Sequence, residues 1–252
     1  MRSIASEWDY TAVALAYLKR PPYAPAAIDA VLAATAPAAG ARACDVGAGT
    51  GNLTRPLLAA GLDVVALEPN AAMRALGRRC TAGWPRLRWV AAYAEATALR
   101  SAAFDLVTFG SSFNCVERER AVHEASRILV PAGTLVCLWN HRRLDDPLQA
   151  RIEARIRDLV PTYAHGIRRE DQAPILERGG LFTVRERIER EVVHRVAVVD
   201  CIDAWRSHVT LKRHAGERFA QVVDAISRLL RDGGRPYVDV PYITRAWVAR
   251  RR

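Results

Sequence analysis

The chain has 252 residues, half of them hydrophobic and a quarter charged, and its formal net charge of +10 is carried almost wholly by arginine, since lysine occurs only at Lys19 and Lys212. That length supports one large domain or two small ones with a self-sufficient core, and the balance is globular rather than disordered. No apolar run approaches the roughly 18 residues of a membrane span, the first residues lack the apolar h-region of a signal peptide, and Cys44, Cys80, Cys115, Cys137 and Cys201 form no C-x-x-C or Cys/His cluster, so a disulfide framework and a metal site are not expected.

In chain order, two short helices come first, over about 9–19 and 24–36, with the turn Arg20-Pro21-Pro22-Tyr23 between them; Pro37 and Gly40 close the segment. Residues 41–46 read as a buried strand running into Gly47-Ala48-Gly49-Thr50-Gly51, with a helix beginning near Asn52 and ending at Gly61. Residues 63–67 are the next strand, and Asn70 suits the N-cap of a helix over 71–80. Residues 87–91 and 104–109 are further short strands. Over 117–130, Ala121, Ala125, Ile128 and Leu129 line one helical face, Pro131-Ala132-Gly133 stops it, and 134–139 is a central strand. Strands alternating with helices predict a parallel sheet covered on both faces, and right-handed crossovers make it doubly wound.

After Trp139 the rhythm changes. Residues 147–160 are helical, and 161–180 are mixed, with Arg168, Arg169, Glu170 and Asp171 expected to be exposed. Residues 184–188 and 192–199 are strands, or one strand with a bend. Helices follow over 200–213 and 216–231, and 242–249 is a last strand. With no Gly/Ser-rich or Pro-rich linker, a single domain over 1–252 is expected: a helical cap (1–37), a ligand-binding core (38–140), an insertion (141–181) and C-terminal strands and helices (182–252).

The glycine loop carries the chemistry. A glycine turn between a first strand and a helix lets backbone approach a ligand closely. G-x-G-x-x-G is not met, because Asn52 or Thr54 falls where the last glycine belongs, and no G-K-[S/T] follows. What remains is Asp45, then G-x-G-x-G, then Glu68 at the end of the second strand. A carboxylate there can accept both hydroxyls of a ribose. An acid within the glycine loop repels phosphate and suits an ammonium or sulfonium group.

These residues resemble a class I S-adenosylmethionine-dependent methyltransferase, in the small-molecule branch with the methyltransferase domain 11/25 pattern. Asp45-Val46-Gly47-Ala48-Gly49-Thr50-Gly51 resembles its first motif, and Leu67-Glu68-Pro69-Asn70 with Met73 its acidic turn. Ala92-Tyr93-Ala94-Glu95-Ala96-Thr97 resembles the adenine-contacting segment, with Tyr93 where the family usually carries Asp. Phe104-Asp105-Leu106-Val107 and Arg127 to Gly133 resemble the motifs around the fourth and fifth strands, with Pro-Ala-Gly in place of Pro-Gly-Gly. Trp8-Asp9-Tyr10, Tyr17 and Arg20-Pro21-Pro22-Tyr23 resemble the branch's N-terminal cap. The resemblance covers about 8–140 strongly. It implies a Rossmann-like sheet of about seven strands, mostly parallel with an antiparallel last strand. It also implies S-adenosylmethionine as cofactor, held by Asp45, Gly47, Ala48, Gly49, Gly51, Glu68, Pro69, Ala94, Glu95 and Gly110.

Ligands of open α/β sheets bind outside the carboxyl ends of the strands. With the first three ends given to the cofactor, Ser111, Phe113 and Asn114, together with Asn140 and Arg142, are expected to face the acceptor. Tyr10, Tyr17 and Arg20 of the cap are the opposite wall. Methyl transfer needs mainly proximity. Where a proton must leave, His141 is the candidate base, since histidine titrates near neutrality. The acceptor is expected to be a small molecule, and Arg20, Arg142 or Arg143 could hold an acidic group on it. A nucleic-acid methyltransferase is the competing class, but 111–115 lacks the Asn/Asp-Pro-Pro-Tyr/Phe run of base methylases. A protein of this fold with non-methylating chemistry is the other. The basic excess lies mainly in 141–252 and alternates with glutamate, as in 185–191, which is the pattern of a solvated face. A cytoplasmic protein is expected, and the oligomeric state is not legible.

Overall fold

The computed structural model describes residues 8–252; positions 1–7 of the expected cap lie outside the described residues. The cap is a 3-10 turn at Thr11–Val13 and helices α1 (Ala14–Tyr17) and α2 (Pro25–Thr35). Then come β1 (Arg42–Val46), α3 (Thr54–Ala59), β2 (Asp63–Leu67), α4 (Ala71–Cys80), β3 (Leu87–Val90), β4 (Phe104–Gly110), α5 (Arg118–Ile128) and β5 (Leu129–Arg142). The remainder is α6 (Pro147–Leu159), a 3-10 turn at Gly166–Arg169, α7 (Ala173–Glu177), β6 (Phe182–Ala197), α8 (Val198–Arg206), α9 (Val209–Ala215), α10 (Phe219–Arg231) and β7 (Tyr237–Arg251).

The seven strands form one sheet in the order β3-β2-β1-β4-β5-β7-β6. β1 to β5 pair in parallel, and β7 runs antiparallel to both neighbours. The order reverses between β1 and β4, which places the glycine loop at a topological switch point, where this architecture opens a crevice.

The central strands are buried on both sides, so their alternate residues feed two cores. Cys44, Val107, Cys137 and Trp139 face α5 and α7, meeting Ala121, Ile128 and Leu176. Ala43, Leu106, Val136 and Leu138 face α2 and α3, meeting Ala27, Val31 and Leu57. A third core forms where α6, α8 and α10 close on β7, with Ile156, Ile202, Ile226 and Tyr242 at its centre.

Of the two readings of residues 184–199, the structure takes the single strand: β6 is continuous, with an irregularity between Val184 and Glu186. Three other elements differ from the sequence expectation. β5 and β7 are much longer than expected, pairing from Thr134↔Arg250 to Arg142↔Tyr242. The helix expected over 200–213 breaks at Ser207-His208. There the Ser207 hydroxyl donates to the Ala204 carbonyl (2.7 Å) and His208 Nδ1 caps α9 by accepting from Leu211 N (3.1 Å).

Candidate functional site

The site is built at the carboxyl end of β1. Gly47 has φ +68, and a Cβ there would meet the Ser112 Cβ at 2.6 Å, so only glycine fits. The Ser112 hydroxyl donates to the Val46 carbonyl (2.6 Å), which pins the end of β4 against the loop. Glu68 braces the loop from β2: its carboxylate accepts from Gly49 N (2.9 Å) and Asn70 N (2.8 Å). Burial raises its pKa, while the two backbone N–H groups and Arg74 pull the other way. Each carboxylate oxygen keeps a lone pair for a ligand hydroxyl.

Asp45 requires a correction. It is 1% exposed, and its two oxygens accept from Thr54 Oγ1 (2.7 Å) and Thr108 Oγ1 (3.0 Å). Burial pushes its pKa up to about 6 against those hydrogen bonds. It ties β1, β4 and α3 together behind the loop and does not line the cleft. Ala48 and Gly51 do not line it either: Ala48 N is spent on the Leu67 carbonyl, and Gly51 N on the Ala48 carbonyl.

In front of the loop lies a cleft of about 1090 Å³. Gly47, Gly49 and Gly110 form its floor, with Glu68, Pro69 and Met73 along one side, Ala94 and Glu95 at one end, and Tyr10 and Tyr17 from the cap as a roof. The two tyrosines meet edge to face, centroids 5.6 Å apart. Among the described residues Asp9, Glu68, Glu95 and Glu117 line the cleft against a single cation, Arg120. Such a lining disfavours a phosphate and favours a cationic ligand. A cradle of backbone, a buried acid at the end of β2 and aromatic edges is the donor set a cationic aminoacyl nucleoside requires.

Through Tyr17 and Ser111 the cleft adjoins a second pocket of about 90 Å³. Arg20, Asn140, His141 and Arg142 line this one, and so do residues not expected there: Arg168 and Arg169 from the 3-10 turn, Tyr163, Trp205 and His208. The expectation that Arg168 and Arg169 are exposed is overturned, because the turn folds inward over β5. The Arg142 guanidinium lies 3.9 Å from the centre of the Trp205 ring. Arg168 Nη2 is 3.3 Å from His208 Nε2, Arg169 Nη2 donates to the Arg142 carbonyl (2.9 Å), and Arg20 donates twice to Ser207 (2.9 Å each).

Several other expected residues are spent elsewhere. Phe113 is fully buried against Phe109, centroids 5.2 Å apart. The Asn114 carbonyl oxygen accepts from Trp139 Nε1 (2.9 Å). Neither lines the cleft or the second pocket. Arg143 points to the surface, paired with Asp145 and with Glu191 at 3.0 Å. Asn140 reaches the inner pocket, but its amide donates to the Pro22 carbonyl (2.6 Å) and holds the cap. His141 is a poorer base than its type suggests. Burial first, then Arg169 and Arg168, lowers its pKa to about 3, so it stays neutral and weakly basic around neutral pH. Its Nε2 is buried without a partner.

Residues 44–137 match the methyltransferase domain family model. An uncharacterised methyltransferase of Mycobacterium tuberculosis is 40% identical over 123 residues, 49% of this chain and 48% of that one. A demethylmenaquinone methyltransferase of Clavibacter sepedonicus is 38% identical over 104 residues, 41% of this chain and 42% of that one. These matches thus span about half, or less, of the curated relatives' length. A solved structure of a proposed type II methyltransferase from Anaeromyxobacter dehalogenans superposes with a TM-score of 0.67 at 22% identity, over 92% of this chain and 97% of that one. Among the described residues no helix is long and apolar enough to cross a membrane. The motifs, the switch-point crevice and these similarities agree: the chain has the class I methyltransferase fold, and its residues 44–137 match the methyltransferase domain family.

Proposed function

We propose that the chain transfers a methyl group from S-adenosylmethionine to a small-molecule acceptor. The observation that carries this reading is the acidic cleft built around Gly47, Gly49 and Glu68, which suits a cationic nucleoside and disfavours a phosphorylated one. Its match to the methyltransferase domain family supports the same assignment. S-adenosylmethionine supplies, when bound, a methyl group on a sulfonium whose departure leaves a neutral thioether. Glu68 would accept the ribose hydroxyls, and the Gly47 and Gly49 backbone allows close approach. Ala94 and Glu95 would border the adenine. Tyr10 and Tyr17 roof the cleft and keep water from the reacting centre. Because His141 is held neutral and weakly basic, the chain's main contribution is to fix donor and acceptor in line at near-attack distance.

Calorimetry with S-adenosylhomocysteine tests the reading. The intact protein should bind one equivalent. Glu68→Gln should bind at least about tenfold more weakly, because an amide cannot reproduce the charge-assisted acceptor. Absence of binding by the intact protein, or equal affinity in the variant, would overturn it.

A further inference from the structure

The inner pocket is too small for a whole metabolite and too cationic to be structural packing. Its volume of about 90 Å³ is far below the roughly 300 Å³ at which ligand cavities begin, so it takes one functional group. Arg20, Arg142, Arg168 and Arg169 surround it. Among the described residues none of the four forms an ion pair; their partners are the Ser207 hydroxyl and carbonyl, the His165 and Arg142 carbonyls, and the rings of Tyr17, Trp205 and Tyr242. Arg142 Nε and Arg169 Nε are buried with no hydrogen-bond partner, and so is His141 Nε2 in the same lining. Among the described residues one carboxylate lines it, Glu153, which pairs with Arg157 at 3.4 Å, lies 3.0 Å from His165 and attracts Arg169, so a single negative charge stands against four guanidinia. Gathering uncompensated guanidinia out of water is costly, and breaking even requires an anion with several acceptor oxygens. A guanidinium presents five donors in a fork that matches such oxyanions.

We infer that this pocket binds a doubly charged oxyanion, a phosphoryl group or a pair of carboxylates, carried by the acceptor. The inference rests on the methyl-transfer reading only for the word acceptor; the anion site itself is independent of it. The two cavities then divide the reaction by charge. The acidic cleft holds a cationic donor, and the basic pocket anchors the far end of an anionic acceptor whose reacting atom lies by Tyr17 and Ser111, the residues that line both. Anchoring in the pocket would exclude uncharged acceptors, since binding them leaves the guanidinia unpaired.

Titration of pyrophosphate, inorganic phosphate and malonate into the intact protein tests this, with S-adenosylhomocysteine titrated separately. At least one of the three should bind at one equivalent with Kd below about 1 mM and raise the melting temperature more than chloride at equal ionic strength. Preference for the phosphates or for malonate identifies the head group. Arg168→Gln and Arg142→Gln should each weaken that binding at least about tenfold while leaving S-adenosylhomocysteine affinity within about twofold. Glu68→Gln should do the reverse, so the two readings fail separately. No one-to-one binding of any of the three, or binding equal to that of chloride, overturns the anion site even if the arginine variants fail to fold. Binding that survives both substitutions overturns it as well.

Discussion

His141 shows how far a residue type can mislead about its role. Imidazole at the end of a central strand is the expected base, yet burial and two guanidinia drive its pKa to about 3. The folded value lies below the unfolded one of about 6.5, so on acidification the unfolded chain takes the proton first. The stability this residue contributes is complete above about pH 6.5 and is lost as pH falls towards 3. Between pH 7 and 5 the intact protein should lose about 2 kcal/mol more than His141→Gln, measured by urea unfolding at each pH. Equal losses would show that the ring is solvated. Glu68 and Gly47 were legible from spacing alone, because a glycine whose Cβ would strike Ser112 and a carboxylate at a strand end are local consequences of the turn. The role of Asp45 was not legible. Its partners, Thr54 and Thr108, come from two other elements, and they turn the carboxylate inward.

At the scale of elements, local chemistry is followed closely where it is strong. Asn70 caps α4 by accepting from Met73 N (3.0 Å), and its own N–H braces Glu68 (2.8 Å). Its amide nitrogen also donates to Thr11 (2.9 Å), tying the cap to the cleft's edge. Asn70→Ala should cost about 1 kcal/mol of stability, read as a shift in the urea midpoint. A change of less than a few tenths would mean that water replaces the cap. The segment after Trp139 shows the opposite case. Two adjacent arginines in a polar stretch read as a solvated turn, and periodicity has no means of revealing that a 3-10 turn folds back over β5. The break at Ser207-His208 was hidden for a similar reason, since Ser207 anchors Arg20 from 187 positions away. Exposed charge was read correctly on β6, whose Arg and Glu residues lie on a sheet edge and discourage edge-to-edge pairing.

At the scale of the whole molecule, the cap and the sheet are joined through few buried polar contacts. Thr244 on β7 accepts from Ala24 N (2.8 Å) and donates to Asn140, whose amide in turn holds Pro22. Thr244→Val keeps the shape but leaves a buried N–H without an acceptor and Asn140 without a donor. It should cost about 1–3 kcal/mol by chemical denaturation. A near-neutral result would show that the cap docks by apolar packing alone. The same docking closes both cavities, since Tyr17 forms part of each wall. Opposite charge on the two sides of one tyrosine is a property of the assembled molecule that no segment carries alone.

The sequence by itself determined the alternation of strands and helices, the glycine loop, the acid at the end of β2 and the caps, because each depends on residues within a few positions of one another. The tertiary structure decided which charges leave water. It brought Arg20, Arg142, Arg168 and Arg169 around one small pocket, turned Asp45 away from the cleft and made His141 a buried, neutral imidazole. Those outcomes depend on which distant elements pack together and how much solvent they expel, and desolvation is not written in any local pattern.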